Sequence, residues 1–232
     1  MEIKGQTALV TGANRGLGRH LARELRDRGA TVYAAARNPA TVDLPGVTPL
    51  ALDVTDPASI ARAATVASDV AILVNNAGSS TGASLLTGDL ADIRLELDTH
   101  FFGTLAVTRA FAPRLGAHEH SAILNVLSVL SWLSFPRSGA YCAAKSAEWS
   151  LTNALRQELA SQGTQVTALH VGYMDTDMTR NVTAPKSNPA DIAKIAIDGI
   201  EAGDAEIIAD EVSRQVLAGL SSGVAGLYPQ LA

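Results

Sequence analysis

The stretch "TALVTGANRGLGRHLARELRDRG", residues 7–29, contains the pattern that decides the fold. An apolar run ends at Gly12, and a segment with helical periodicity extends from Gly16 to Gly29. Glycines between a buried strand and a helix allow the backbone to approach a phosphate group, and the free N–H groups of the helix N-terminus can bind it. The stretch therefore predicts a strand, a phosphate-binding loop and a helix, with an unliganded glycine turn as the alternative.

Short apolar runs alternate with helix-period segments along the rest of the chain. Further strands are predicted over 30–37, 47–54, 69–78, 121–128, 164–172 and 205–210, and long helices over 92–115, 138–163 and 188–203. This alternation indicates a parallel sheet with right-handed crossovers and helices on both faces. We expect an α/β fold, a doubly wound parallel sheet in three layers (α/β/α), with strand order 3-2-1-4-5-6 and residues 1–232 in one domain. Pro49 suits the edge position that this order gives to the third strand.

The composition restricts the class of protein. Of 232 residues, 47% are hydrophobic and 18% are charged, which allows a sizeable core, and no run reaches the roughly 18 apolar residues of a membrane span. The N-terminus lacks a signal-peptide apolar region, and the single cysteine, Cys142, excludes an internal disulfide. The net charge of −5, without a basic stripe, argues against a nucleic-acid partner. We expect a cytoplasmic protein with no membrane association, no nucleic-acid partner and no metal site.

Tyr141 and Lys145 lie four residues apart in "SGAYCAAKSAEW" (138–149), inside a predicted helix. Residues four apart share a helix face, so the Lys145 ammonium is expected to lower the pKa of the Tyr141 hydroxyl from its reference value of about 10. A tyrosine with a lowered pKa can donate or accept a proton beside a carbonyl group. A packed ring beside a solvated ammonium is the alternative for this pair taken alone.

Four features together resemble the short-chain dehydrogenase/reductase family. They are the TGxxxGxG spacing of residues 11–18, "NNAG" at 75–78, the YxxxK spacing of Tyr141 and Lys145, and Ser128 upstream of Tyr141. The resemblance extends from about residue 5 to about residue 180. It implies a Rossmann fold, an oxidoreductase activity, and a homodimer or homotetramer.

The resemblance also implies roles for individual residues. Tyr141 acts as general acid or base, Ser128 hydrogen-bonds the substrate oxygen, and Lys145 also binds the nicotinamide ribose. The expected cofactor-binding residues are Gly12, Asn14, Gly16, Leu17, Gly18, Asp53, Val54, Asn75, Ala77, Gly78, Tyr141, Lys145, Gly172, Met174 and Thr176.

The end of the second predicted strand bears on the choice between NAD and NADP. An acidic residue there binds the ribose 2′-hydroxyl of NAD, but this chain has Ala36 followed by Arg37. Arg15, in the glycine loop, supplies a second guanidinium, and guanidinium groups bind phosphate bidentately. We predict that Arg15 and Arg37 bind the 2′-phosphate, so that NADP(H) is preferred over NAD(H). Two solvated surface arginines are the alternative.

The chain departs from the family pattern at two positions. His100 stands where the family usually has an asparagine that bends the helix and holds a water linked to the catalytic lysine. A histidine can also hold a water and, with a reference pKa of about 6.5, can titrate. We predict that His100 takes part in catalysis, with a space-filling histidine as the equal alternative. Val171 replaces the usual proline before Gly172, which puts the rigidity of that loop in doubt.

The expected substrate is a small neutral ketone, aldehyde or alcohol. The residues predicted to line its pocket are apolar or weakly polar and include no cluster suited to a carboxylate or phosphate: Ser79, Ser80, Leu130, Trp132, Leu133, Phe135 and Tyr173. The polar, proline-bearing segment at 173–190 is predicted to be a mobile substrate loop. A catalytically weak NADP(H)-binding sensor or scaffold of the same fold remains the alternative function.

Overall fold

Seven short strands form one parallel sheet in the structure, a computed structural model that describes residues 1–231. The strands are β1 (Thr7–Thr11), β2 (Thr31–Ala36), β3 (Thr48–Ala51), β4 (Ile72–Asn75), β5 (Ser121–Val126), β6 (Thr164–His170) and β7 (Glu206–Ile208). Their order is β3-β2-β1-β4-β5-β6-β7, so the predicted order of the first six strands is confirmed. Pro49 lies in the edge strand β3, where no second neighbour requires its missing N–H group.

Eight α-helices surround the sheet within the described residues; six lie between strands, and the last two follow β7. They are α1 (Gly16–Asp27), α2 (Pro57–Val66), α3 (Leu90–Leu97), α4 (Thr104–Leu115), α5 (Gly139–Glu158), α6 (Pro189–Ala202), α7 (Glu211–Gly219) and α8 (Gly223–Leu227). One apolar core packs α1 and α6 against the sheet, and a second core packs α2, α4 and α5 against the other face. The expected three layers, a doubly wound Rossmann fold, are confirmed. No helix within residues 1–231 is both long and apolar enough to cross a membrane.

The long helix predicted over 92–115 is divided in two. A π-helical turn, Asp98–Gly103, separates α3 from α4, and α3 begins two residues earlier than predicted because Asp89 caps its N-terminus. A π turn contains one more residue than an α turn, so it changes the direction in which the following side chains point. The turn contains His100, and it turns this side chain into the interior.

Most strands are shorter than predicted because the chain leaves the sheet at their carboxyl ends. Residues 76–78 were predicted as part of β4, but the Asn76 side chain instead donates to the Thr11 and Gly12 carbonyl oxygens, at 2.9 and 3.3 Å. A Cβ atom on Gly18 would overlap both the Gly12 carbonyl oxygen and the Asn76 amide. The glycine loop and the end of β4 are therefore packed directly against each other.

We expect Gly18→Ala to destabilise the protein by about 1–3 kcal/mol, the usual cost of forcing an extra methyl group into a packed site. The measurement is the free energy of unfolding in urea. Gly219→Ala is the control, because the nearest atom to its added Cβ would be Leu227 Cδ2 at an ordinary 3.8 Å. Equal stability of the two variants would show that the loop can move away from Asn76.

Candidate active site

The hydroxyl of Thr11 fastens the carboxyl ends of β1 and β4 to each other. Thr11 Oγ1 donates to the Val74 carbonyl oxygen at 3.2 Å and accepts from the N–H groups of Asn76 and Ala77 at 2.9 and 3.0 Å. Strand order reverses between β1 and β4, and the crevice at such a reversal is where open α/β sheets bind ligands. These bonds hold the two sides of that crevice in place.

The glycine loop presents the uncapped N-terminus of α1. Arg15 occupies the capping position without a side-chain hydrogen bond to the helix, and the first turn contains no acidic residue. The partial positive charge of the helix N-terminus is therefore available to an anion. Without a side chain, Gly18 leaves the loop backbone close to Asn76. These features fit the pyrophosphate of a dinucleotide.

The two arginines predicted to bind the 2′-phosphate of NADP, Arg15 and Arg37, are both exposed. Arg37 follows the last residue of β2, and Arg15 Nη1 lies 3.9 Å from Asp177 Oδ2. Neither guanidinium is held by a buried carboxylate, so both are free to contact an anion. Asn14, the preceding loop residue, donates to Thr41 Oγ1 at 3.1 Å.

Asn75 and Asp53 were both predicted to contact the cofactor, and both make bonds within the protein. Asn75 is buried, and its amide donates to Asn125 Oδ1 and Thr108 Oγ1 at 2.9 and 3.2 Å. These bonds join the end of β4 to β5 and to α4 and use the Asn75 amide within the protein. Asp53 Oδ1 accepts from the N–H and hydroxyl groups of Thr55, at 2.9 and 2.7 Å.

The loop after β6 closes over the same crevice. The Gly172 N–H donates to Asp210 Oδ2 at 2.6 Å, and Met174 pairs with Ser187 in an isolated bridge. Thr176 lies beside Gly16, with its Cγ2 atom 3.6 Å from the point where a Cβ atom would be. Residues 173–190 therefore form a loop that is closed at its base and touches the glycine loop. Asp210 was not predicted, although its place before α7 marked it as a cap.

Tyr141 and Lys145 share one face of the first turns of α5, as their spacing predicts. Lys145 Nζ lies 5.9 Å from the centroid of the Tyr141 ring. Lys145 is only 5% exposed, and its ammonium donates to the Val126 carbonyl oxygen at 2.7 Å and to Glu148 Oε2 at 2.6 Å. Burial acts to lower the pKa of Lys145, but the Glu148 carboxylate outweighs it and the pKa is raised.

The pKa of Tyr141 lies above its ordinary value, so the expectation of a lowered pKa is wrong for this structure. Burial raises it, and the nearby Lys145 charge lowers it by a smaller amount. The Glu148 carboxylate adds to the rise, and the Ser128 side chain opposes it. The sequence showed the cation on the same helix face, but not the burial or the second charge.

Ser128 is held by β6 and by its own turn. It follows β5, and its Oγ accepts from the Leu130 N–H at 3.1 Å. On the other side, His170 Nδ1 lies 3.4 Å from the Ser128 carbonyl oxygen, and its ring stacks on Trp132 with centroids 3.8 Å apart. Burial lowers the pKa of His170 to about 4, so this ring is neutral at pH 7. Sequence reasoning did not single out His170.

His100 reaches the site from the π turn and is only 1% exposed. Its ring meets the Tyr141 ring edge to face, with centroids 5.1 Å apart. The Nε2 atom lies 3.0 Å from the Ser79 carbonyl oxygen, 3.3 Å from the Ser79 nitrogen and 3.4 Å from Glu96 Oε2. A Cβ atom on Gly78 would lie 2.8 Å from His100 Cε1, so the imidazole needs the glycine of "NNAG".

Two buried carboxylates, Glu96 and Glu148, accompany this histidine and were missed by sequence reasoning. Burial acts to raise the pKa of Glu96, but hydrogen bonds from His100, Thr81 and Ser79 outweigh it and lower the pKa to about 2. Glu148 is held by Thr104 as well as by Lys145. The signal was their spacing, since Glu96 precedes His100 by one helical turn and Glu148 follows Lys145 by three residues.

The apolar residues predicted to line the substrate pocket differ in their exposure. Leu130 and Trp132 are buried, while Phe135 and Tyr173 are exposed. Leu85 packs at the start of α5, beside Gly139, and is itself more than half exposed. Exposed apolar side chains stand on three loops, which lie between β4 and α3, between β5 and α5, and after β6: Leu85, Leu86, Phe135, Tyr173 and Met178.

Comparison with known proteins agrees with this geometry. Residues 6–187 match the model of the family described as short chain dehydrogenase. A short-chain dehydrogenase from Burkholderia cenocepacia J2315, solved in complex with NADP, is 35% identical, with a TM-score of 0.94 over 100% of this chain and 99% of that one. Oxidoreductase UcpA of Escherichia coli K12 is 33% identical over 82% of this chain and 77% of its own length.

A mammalian relative is similar over a smaller share of its length. Dehydrogenase/reductase SDR family member 7B of Bos taurus is 31% identical over 80% of this chain, and the match covers 63% of that relative. The family model covers well over half of the present chain and includes the glycine loop, Ser128, Tyr141 and Lys145. The chain belongs to the short-chain dehydrogenase family.

Proposed function

We propose that this protein is an NADP(H)-dependent oxidoreductase that transfers hydride between the nicotinamide and a small neutral carbonyl or alcohol substrate. The observation that carries the proposal is the half-buried Tyr141, which has Lys145 on its own helix face and Ser128 beside it. The chemistry that the nicotinamide supplies when bound is the donation or acceptance of the hydride. The remaining work, proton transfer and orientation, belongs to side chains of this chain.

Tyr141 acts as the general acid or base. In carbonyl reduction its hydroxyl gives a proton to the substrate oxygen, and in alcohol oxidation the phenolate takes the proton back. The raised pKa keeps the hydroxyl protonated at neutral pH, which suits the reductive direction. Ser128 donates a hydrogen bond to the same oxygen, and the capping bond that its Oγ accepts from Leu130 orients the hydroxyl. Lys145 holds a positive charge near the reacting oxygen.

The cofactor preference rests on the exposed guanidinium groups. The residues that would hold the pyrophosphate are Gly12, Gly16 and Gly18 with the α1 N-terminus, and Arg15 and Arg37 would bind the 2′-phosphate. No carboxylate stands at the end of β2 to accept a ribose 2′-hydroxyl. The Burkholderia relative in complex with NADP supports the same choice. The proposed nicotinamide side is completed by four residues, Ala77, Gly78, Met174 and Thr176. The bonds of Asn75 to Asn125 and Thr108 hold the end of β4 in place beside them.

His100 takes the place of the asparagine that the family carries. It contacts Tyr141 through its ring and reaches toward Glu148 with Nδ1, 3.9 Å from Glu148 Oε2. The opposite nitrogen is anchored by Ser79, so the ring is fixed in orientation. His100 is therefore part of the proposed proton path that serves Lys145 and Tyr141.

Tyr141→Phe should reduce kcat for carbonyl reduction by at least about 100-fold, because the substrate oxygen loses its proton donor, while NADPH still binds through the glycine loop and Lys145. The measurement is NADPH oxidation with a panel of neutral ketones and aldehydes, together with NADPH binding by fluorescence. Tyr33→Phe, a change of the same kind in β2, is the control and should retain full rate. A wild-type protein that binds NADPH but oxidises it with no compound of a wide panel would favour the sensor or scaffold function.

Arg37→Ala should weaken NADPH binding by about tenfold and leave NADH binding unchanged, because only the 2′-phosphate loses a charged hydrogen-bond donor. Dissociation constants for both cofactors are compared in titrations at fixed ionic strength. Arg109→Ala, which removes an exposed arginine from α4, controls for the change in net charge. Equal or better turnover with NADH than with NADPH in the wild-type protein would contradict the preference.

His100→Ala should lower kcat by at least about tenfold with NADPH binding intact, and His100→Asn should recover part of the rate by restoring the amide usual in the family. Rates are measured with NADPH and a neutral ketone, and NADPH binding is followed by fluorescence. An unaffected alanine variant would mean that the histidine only fills space.

A further inference from the structure

Glu148 is a buried carboxylate that the proposed reaction does not yet use. It is 1% exposed, and both of its oxygens are bonded: Oε2 accepts from Lys145 Nζ at 2.6 Å, and Oε1 accepts from Thr104 Oγ1 at 2.9 Å. Bonds to two elements, one of them its own helix and the other α4, fix its orientation. A carboxylate held in this way is a fixed negative charge about two helical turns from Tyr141 along α5.

The nitrogen that faces the Glu148 carboxylate is Nδ1 of His100. His100 Nδ1 is buried, makes no hydrogen bond within the described residues, and lies 3.9 Å from Glu148 Oε2. On the other side of the ring, His100 Nε2 lies 3.4 Å from Oε2 of Glu96, the second buried carboxylate. Two carboxylates, one ammonium and one imidazole thus occupy a single enclosed cluster beside the Tyr141 ring.

Every charged group that faces this cluster bears on how the tyrosine titrates. Lys145 and Glu148 come from α5, Glu96 comes from α3, and His100 comes from the π turn. From β6, His170 lies near enough for the Lys145 charge to affect it, with Glu206 Oε1 3.5 Å from its Nε2. The positive charge of Lys145 favours the phenolate, and the two carboxylates favour the phenol.

We propose that Glu148 is a positioning residue that fixes the Lys145 ammonium and offsets its charge at the Tyr141 hydroxyl, so that Tyr141 is kept as a proton donor. The inference rests on the proposed function, in which Tyr141 transfers the proton. The consequence is that the Tyr141 phenol is protonated at the start of the reaction, as carbonyl reduction requires. Alcohol oxidation, which requires the phenolate, then becomes efficient only at higher pH.

The test is a pH titration of tyrosinate absorbance, which needs no turnover. The chain contains four tyrosines, so the spectrum of the protein minus that of its Tyr141→Phe variant isolates Tyr141. The same difference is then recorded in the Glu148→Gln background. Glutamine keeps the size and one acceptor oxygen but removes the charge, so the Tyr141 step should move to lower pH by about one unit or more.

Two further variants separate charge from packing. Glu148→Asp keeps the negative charge and should leave the Tyr141 step close to its wild-type position. Glu158→Gln makes the same chemical change at an exposed position of the same helix and should have no effect. An unchanged step in Glu148→Gln, or a step at higher pH, would overturn the proposal.

A second titration covers the case in which Glu148→Gln does not fold, as judged by circular dichroism and NADPH binding. Glu96→Gln then replaces it, and the Tyr141 step must again move to lower pH, by a smaller amount. No movement, or movement to higher pH, overturns the proposal in this case too. Failure of the proposed function is distinguishable, because it would appear as a lack of NADPH oxidation with the carbonyl panel, while the absorbance titration would still report on Glu148.

Discussion

The site is organised around one buried positive charge. Removing an ammonium group from water is costly unless the protein supplies opposite charge and hydrogen bonds. Lys145 receives them from Val126 at the end of β5 and from Glu148 on its own helix. Glu148 in turn depends on Thr104, the first residue of α4. The ammonium therefore fixes the mutual position of β5, α4 and α5, and with it the place of the Tyr141 hydroxyl.

The π turn brings the His100 imidazole into the same buried cluster as the Lys145 ammonium. A regular helix from Leu90 to Leu115 would not have the extra residue that turns His100 inward. The ring occupies space that Gly78 leaves free, and Glu96 holds its outer nitrogen. A departure from the family pattern at one position is thus matched by acidic groups on both sides of it. The proposed place of His100 in the proton path rests on this matching.

The cofactor side depends on a different and uncharged constraint. The Thr11 hydroxyl and the Asn76 amide fasten β1 to β4 without using the groups that face the crevice. The backbone N–H groups of the α1 N-terminus are thereby left for a phosphate, and no acidic side chain competes for them. Rigid support from buried polar bonds and an electropositive helix end together explain why the glycines stand where they do.

Local patterns in the sequence determined the order of strands and helices, the edge position of Pro49, and the pairing of Tyr141 with Lys145. Each of these depends on neighbours within one or two turns, or on the right-handedness of crossovers. Only the tertiary structure decided the sign of the Tyr141 pKa shift and the partners of Lys145. Burial and the Coulomb interaction depend on distances between segments far apart in the chain, and Glu96 and Glu148 are 52 residues apart. The sequence shows which residues are charged, but only the packing of the folded chain determines which charged groups are buried next to each other.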